Sequence, residues 1–198
     1  ETSKILKTIL ENTNLFKVDI ASEKDGLSKL QYADYKLIVV NYNGDAWHKE
    51  KKDAFITYLK NGGGAIIFHT RNHSFPSSEA FRKITRLPQE NNFFENQTHY
   101  LEEQDIAITK QDTAHPILKN TPDKWLHASG NLCNNFNARY AAILATALSD
   151  TALGGTGNEE PVLFTTPFGN GRIVGTTLGY VDEGSTAYPS YQCVGFIT

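Results

Sequence analysis

Two four-residue runs limit what this chain can become: Leu37-Ile38-Val39-Val40 and Ala65-Ile66-Ile67-Phe68. Both are wholly apolar and rich in β-branched residues. A strand with one wet face alternates between apolar and polar positions. A run without alternation belongs to a strand covered on both faces, as in a parallel sheet. Between the runs lie Phe55, Tyr58 and Leu59 at helical spacing, with Asp45 as a candidate cap ahead of them. Gly62-Gly63-Gly64 then ends the helix, because glycine accepts the left-handed conformation of a helix C-terminus. Strand, helix and strand in that order make a crossover unit.

The same alternation extends in both directions. Ser3 is a candidate cap for a helix carrying Ile5, Leu6, Ile9 and Leu10 on one face. Phe16, Val18 and Ile20 alternate with Lys17 and Asp19, which predicts a strand. Pro76-Ser77 leads into a short helix with Ala80, Phe81 and Ile84. Residues 87–103, with Asn91, Asn92, Asn96 and Gln97, read as an exposed loop. Ile106 and Ile108 restart a strand, and Ala141 to Leu148 fits a strand or a helix. Val162-Leu163-Phe164 and Arg172-Ile173-Val174 flank Gly169-Asn170-Gly171, a hairpin signal. The expectation is one α/β domain over residues 1–198: a three-layer αβα sandwich around a mostly parallel sheet, with a late β-hairpin.

Composition removes several classes. Of 198 residues 39 % are hydrophobic and 21 % charged, too apolar for a disordered chain. No apolar run approaches the roughly 18 residues of a membrane-spanning helix. Net charge is −3, without a basic block, which argues against a nucleic-acid binder. Cys133 and Cys193 form neither a disulfide framework nor a zinc motif. Met is absent, where average usage of roughly 2 % would give about four. The first residue also stands inside a helix signal. The expectation is therefore of an incomplete sequence, lacking an N-terminal strand and any methionines carried as selenomethionine. An intact mass equal to 22.0 kDa would refute it. Compartment (periplasmic, secreted or cytoplasmic) and oligomeric state stay open.

Parallel sheets bind ligands at the carboxyl ends of their strands. After Val40 come Asn41, Tyr42, Asn43, Gly44 and Asp45; after Phe68 come His69, Thr70, Arg71, Asn72, His73, Ser74, Phe75 and Pro76; after Val174 come Thr176, Thr177, Leu178, Gly179 and Tyr180. Amides, imidazoles and hydroxyls suit the hydroxyls of a polyol, and aromatic rings pack on its apolar face. Each residue also has a plainer reading. His69 could bond backbone at a strand end, Asn43-Gly44-Asp45 could be a turn and cap, and Asn72 could hold its loop. His115, before Pro116, fits a structural corner. A metal site using His69 and His73 with His99 or His127 is a second reading, disfavoured because four-residue spacing suits a helix, not a strand end before Pro76. Cys133 lacks the glycine elbow of a nucleophile.

Gly62-Gly63-Gly64-Ala65-Ile66-Ile67-Phe68-His69, on to Asn72 and Ser74-Phe75-Pro76, resembles the glycine-rich strand and His loop of ThuA-like (trehalose utilisation) proteins. Asp112 to Ile117 resembles the family's Asp-x-x-His-Pro-Ile segment, and Trp125-Leu126-His127 its Trp-x-His segment. Gly155-Thr156-Gly157, Glu160-Pro161-Val162, Phe168-Gly169-Asn170-Gly171-Arg172 and Thr176-Thr177-Leu178-Gly179 resemble its ending. The resemblance runs over nearly the whole chain in order. It implies a flavodoxin-like fold akin to class I glutamine amidotransferases, with His69 where those enzymes carry a nucleophilic Cys. Thiolate hydrolysis is therefore not expected, while an imidazole could serve as acid or base. Three departures stand out: no opening strand and His loop precede the first helix, Gly130-Asn131 replaces an acidic pair, and Tyr180 replaces a final His.

The resulting expectation is a protein of carbohydrate metabolism acting on a small glycoside or keto-sugar. His69 is the acid/base; Asn41, Asn43, Asn72, His127 and Thr177 hold the ligand; Tyr42, Phe75 and Tyr180 line the cleft. No cofactor or metal, nucleic acid or membrane is expected; a homo-oligomer is compatible. The alternatives are a non-catalytic sugar-binding or scaffolding domain and a metal-dependent hydrolase.

Overall fold

The computed structural model describes residues 2–21, 31–41, 47–68, 84, 99–136 and 141–178. Helix α1 spans Thr2–Asn12 and buries Leu10. Ser3 lies inside the first turn instead of capping it, and its Oγ accepts a hydrogen bond from Asn41 Nδ2 at 3.1 Å. The apolar runs form strands as expected: β1 is Leu37–Val40 and β2 is Gly64–Phe68, joined through helix α2, Lys49–Lys60. His48, not Asp45, is the N-cap of α2, and it makes no side-chain capping bond; Asp45 lies outside the described residues. Gly62 leaves the helix at φ +103°. Gly63 is required by a close approach. A Cβ there would stand 2.3 Å from Cζ of Tyr58, whose ring crosses the glycine while its hydroxyl donates to the Gly64 carbonyl at 3.0 Å.

The remaining strands are β3 (His99–Tyr100), β4 (Gln104–Lys110), β5 (Lys124–Gly130), β6 (Cys133–Asn134), β7 (Ala142–Leu148), β8 (Glu159–Phe168) and β9 (Gly171–Thr176). Seven form one sheet in the order β1-β2-β9-β8-β7-β4-β5; β3 and β6 pair separately. The ambiguous run at 141–148 is thus a strand. The hairpin of β8 and β9 forms with Phe168 opposite Gly171, and Gly169 takes the positive φ (+60°) that its two-residue turn needs.

The expectation of a mostly parallel sheet is corrected. Among the described residues, β1–β2 and β2–β9 of the seven-stranded sheet pair in parallel, and β9–β8, β8–β7, β7–β4 and β4–β5 are antiparallel. The reason is the connections. Parallel neighbours need a long crossover, whereas β4 to β5 and β7 to β9 are joined by turns and 3-10 segments. The expected three-layer sandwich does not describe that half either, since residues 99–136 and 141–178 contain no α-helix. Phe16, Val18 and Ile20 are also corrected: residues 16–20 pair with no strand among the described residues.

Two main cores follow this division. Phe55, Tyr58 and Leu59 of α2 pack on Val40, Ala65, Ile67 and Ile173, with Tyr32 and Trp47 stacked beside them. Ile106, Ile108, Leu144, Val162 and Leu163 form the second, closed by Leu118 from the turn Pro116–Leu118. No helix among the described residues is long and apolar enough to cross a membrane.

Candidate functional site at the strand-end rim

The three parallel strands finish side by side. Val40 is level with Ile67, and Phe68 with Thr176. Asn41 and Thr177, each directly after its strand, are the rim residues described. Asn41 is half-buried and its amide is turned onto Ser3 at the start of α1. Thr177 is fully buried. Its Oγ1 donates to the Pro161 carbonyl at 3.3 Å and its N–H to the Val162 carbonyl at 3.2 Å. Thr176 Oγ1 donates to that same Val162 carbonyl at 2.9 Å and accepts from the Leu178 N–H at 3.1 Å. The Thr-Thr pair thereby sews the end of β9 onto β8. His69, Tyr42, Asn43, Asn72, Phe75 and Tyr180 lie outside the described residues.

His127 stands apart from this rim. It is on β5, opposite Ile106, and β5 and β1 are the two edges of the sheet. The side chain is buried, with 4 % exposed, and a Cβ on Gly130 would meet its ring at 2.6 Å. Burial pushes the imidazole pKa down, against a weaker upward pull from Asp105. The enclosed ring packs against Gly130 within the edge strand β5, while Asn41 follows β1 at the other edge of the sheet order.

The other motif residues act within the fold. Asp112 Oδ1 accepts from the N–H groups of Ala114 (3.1 Å) and His115 (3.0 Å), and His115 Nδ1 accepts from Ile117 N–H at 3.3 Å. With Pro116 starting the 3-10 turn, Asp-x-x-His-Pro is a built corner, as the plainer reading has it. Sequence reasoning missed a buried polar network. Glu160 accepts from the N–H groups of Asn135 (2.9 Å) and Phe136 (3.4 Å) and from Thr156 Oγ1 (3.0 Å). Ser149 Oγ donates to Asn134 Oδ1 at 2.5 Å and accepts from Thr156 N–H at 2.9 Å. The available signal was parity: Glu160 shares its strand face with Val162 and Phe164, so a carboxylate there had to enter the interior. Cys133 is buried beside it, its Sγ 4.0 Å from the Asn134 carbonyl. Among the described residues no cluster of three His, Cys, Asp or Glu side chains could hold a metal ion.

A groove of about 390 Å³ opens along β1. All four β1 residues line it, with α1 above and residues 15–21 as its opposite wall. Lys7 and Glu11 of α1 fix that wall. The ammonium of Lys7 donates to the Val18 carbonyl, and Glu11 Oε1 accepts from the Val18 N–H at 3.1 Å. This bond holds the Glu11 carboxyl below its ordinary pKa, with Lys7 adding to the effect. Tyr32, buried beneath the groove, has its phenol pushed up to about 12 by desolvation.

Comparison with known proteins agrees with this architecture. A putative ThuA-like protein of Parabacteroides merdae is 30 % identical and superposes with a TM-score of 0.82 over 98 % of this chain and 81 % of its own. A second, from Bacteroides uniformis, is 17 % identical with a TM-score of 0.68, over 98 % and 82 %. The fold is also found in a β-galactosidase of Rahnella sp. R3, at 10 % identity and a TM-score of 0.52, where 85 % of this chain covers 22 % of that one. No curated protein matches the sequence. The family model for ThuA, described as trehalose utilisation, matches residues 1–193, and the chain belongs to that family.

Proposed function

We propose that this ThuA-family chain binds and transforms a small glycoside or keto-sugar at the carboxyl-end rim of β1, β2 and β9. His69 follows directly on β2 and is the acid/base. Asn41, Asn43 and Asn72 hold hydroxyls; Tyr42, Phe75 and Tyr180 pack on the sugar face; Thr177 sets the floor from within. The observation that carries the reading is the level ending of the three strands that precede Asn41, His69 and Thr177. An imidazole near neutrality can give and take a proton at that edge without a thiolate. His69→Ala is expected to abolish turnover of a disaccharide or its keto form while the Tm stays unchanged. Unaltered turnover in that variant overturns the assignment.

A second reading, a sugar-binding or scaffolding domain without catalysis, is favoured by the described rim groups being spent on the fold. Asn41 bonds Ser3, and Thr177 bonds Pro161. Calorimetry against a disaccharide panel with product analysis separates the two, since heat without product selects binding alone.

A further inference from the structure

We infer that the outer face of β5, β4, β7 and β8 is where two copies of this chain meet, packed face to face about a two-fold axis. The inference is independent of any sugar chemistry. The two faces of this half differ. Ile106, Ile108 and Ala147 point into the second core, and Trp125 packs against it. The residues that alternate with them point the other way. Leu126 is paired with Ala107. Ile108 opposite Ala147 brings Ala107 level with Leu148, and Leu148 is paired with Glu159. Leu126, Ala107, Leu148 and Glu159 therefore form one row across the sheet, on the face away from the core. All of them are exposed, Leu126 by 46 % and Leu148 by 57 %. An apolar strip rimmed by charge on firmly paired strands is the kind of surface that marks an interaction site.

The ends of the row select the partner. Glu159 closes it on β8, and Thr146 Oγ1 donates to Glu159 Oε2 at 2.6 Å, which holds the carboxylate over the face. Lys124 stands at the other end, two residues before Leu126 and on the same side of β5. It is exposed and makes no ion pair with another described residue. The face thus runs from a cation, through the leucines, to an anion.

A pattern of that order is complementary to itself. A two-fold axis parallel to the strands, passing between β4 and β7, reverses the row. It sets Ala107 over Leu148 of the second copy, a small residue against a large one. Lys124 and Leu126 come to lie over β8 of the second copy, the strand that carries Glu159. Each ammonium then faces the other copy's carboxylate, once on either side of the axis, and no like charges are opposed. Stacked sheets stand about 10 Å apart, a gap that leucine side chains entering from both sides can fill.

The test is sedimentation equilibrium of the full chain from about 1 to 300 µM, the range suited to an interface near the lower end of stable size. The wild type is expected to pass from monomer to dimer within it. Lys124→Glu and Glu159→Lys each oppose like charges across the axis, and each is expected to raise the dimer Kd about tenfold or more. Both side chains are exposed, so the Tm of either variant should stay unchanged. Mixed in equal amounts, the two variants set opposite charges against each other at both ends, and the dimer is expected to return. A chain that remains monomeric over the whole range overturns the inference. So does a dimer that neither variant weakens, which would place the interface elsewhere. Failure of the mixture to restore the dimer overturns the two-fold pairing, as does an assembly larger than a dimer.

Discussion

In the β1–β2–β9 half, strands meet in parallel, and β1 reaches β2 through a helix; β8 passes to β9 through Gly169-Asn170 alone. In the β8–β7–β4–β5 half every neighbour is antiparallel. Parallel pairing gathers the strand ends, and whatever follows them, at one rim. Antiparallel pairing sends consecutive ends to opposite rims and favours short stitching. The first half is therefore suited to presenting chemistry, and the second to holding shape. In the second half the buried Glu160, Asn134 and Ser149 stitch loops, while in the first the buried Thr176 and Thr177 tie the end of β9 to β8.

The largest effect should come from the seam between the halves. Phe164 on β8 is 1 % exposed, packs 4.9 Å from the Phe136 ring, and fills the space over Gly175, where a Cβ would stand 2.4 Å from it. Phe164→Ala is expected to cost about 3–5 kcal/mol in urea unfolding, because the hydrogen-bonded β8–β9 backbone beneath the ring cannot collapse into the cavity. A loss below about 1 kcal/mol would mean that the halves are not rigidly joined.

Glu160 comes next. Glu160→Ala leaves the N–H groups of Asn135 and Phe136 and the Thr156 hydroxyl without their acceptor. The expected cost is about 2–3 kcal/mol, with Glu160→Gln recovering part of it. Sugar binding at the parallel rim should not change. A binding defect in Glu160→Gln at full stability would join the two halves functionally and break the comparison.

His127 tests the far edge by pH. Its folded pKa is lowered by burial from the usual 6.5, so the folded state holds it neutral while the unfolded chain protonates near 6.5. Its contribution is complete above pH 6.5 and is lost as pH falls from there towards the lower folded value. The slope is at most ~1.4 kcal/mol per pH unit. In His127→Gln this part of the pH dependence should vanish. If the wild-type dependence below pH 6.5 persists in the variant, another group carries it.

The parallel half was legible because its strands need no partner to be recognised. An unbroken apolar run such as Leu37–Val40 has one reading in a short element. The antiparallel half was legible as strands but not as pairing, since alternation says which face is wet and nothing about direction. Direction followed from connection length, and the turns after β4 and β7 carried that information without a helix signal between them. Phe16–Ile20 shows the reverse case: the alternation is present, but a strand is made by its neighbour, and the described neighbours are side chains of α1. At the site, the place of Asn41 and Thr177 after their strands was readable. Their hydrogen bonds to Ser3 and Pro161 were not, because both partners come from elsewhere in the chain. His127 was grouped with the rim on chemistry, and strand order separated it.

The smallest stability effect sharpens the comparison most. Asn41→Ala removes one hydrogen bond to a serine hydroxyl at a half-buried position. The expected loss is about 0.5–1 kcal/mol by denaturation. The same variant should weaken disaccharide binding roughly tenfold, the worth of one well-placed hydrogen bond at a ligand hydroxyl. On the proposed function, the rim residue Asn41 is expected to cost little in folding and much in binding, and Glu160 the opposite. If Asn41→Ala instead unfolds the protein as deeply as Phe164→Ala while leaving binding intact, then the amide serves to dock α1. The rim would then hold the fold together no less than the stitched half does.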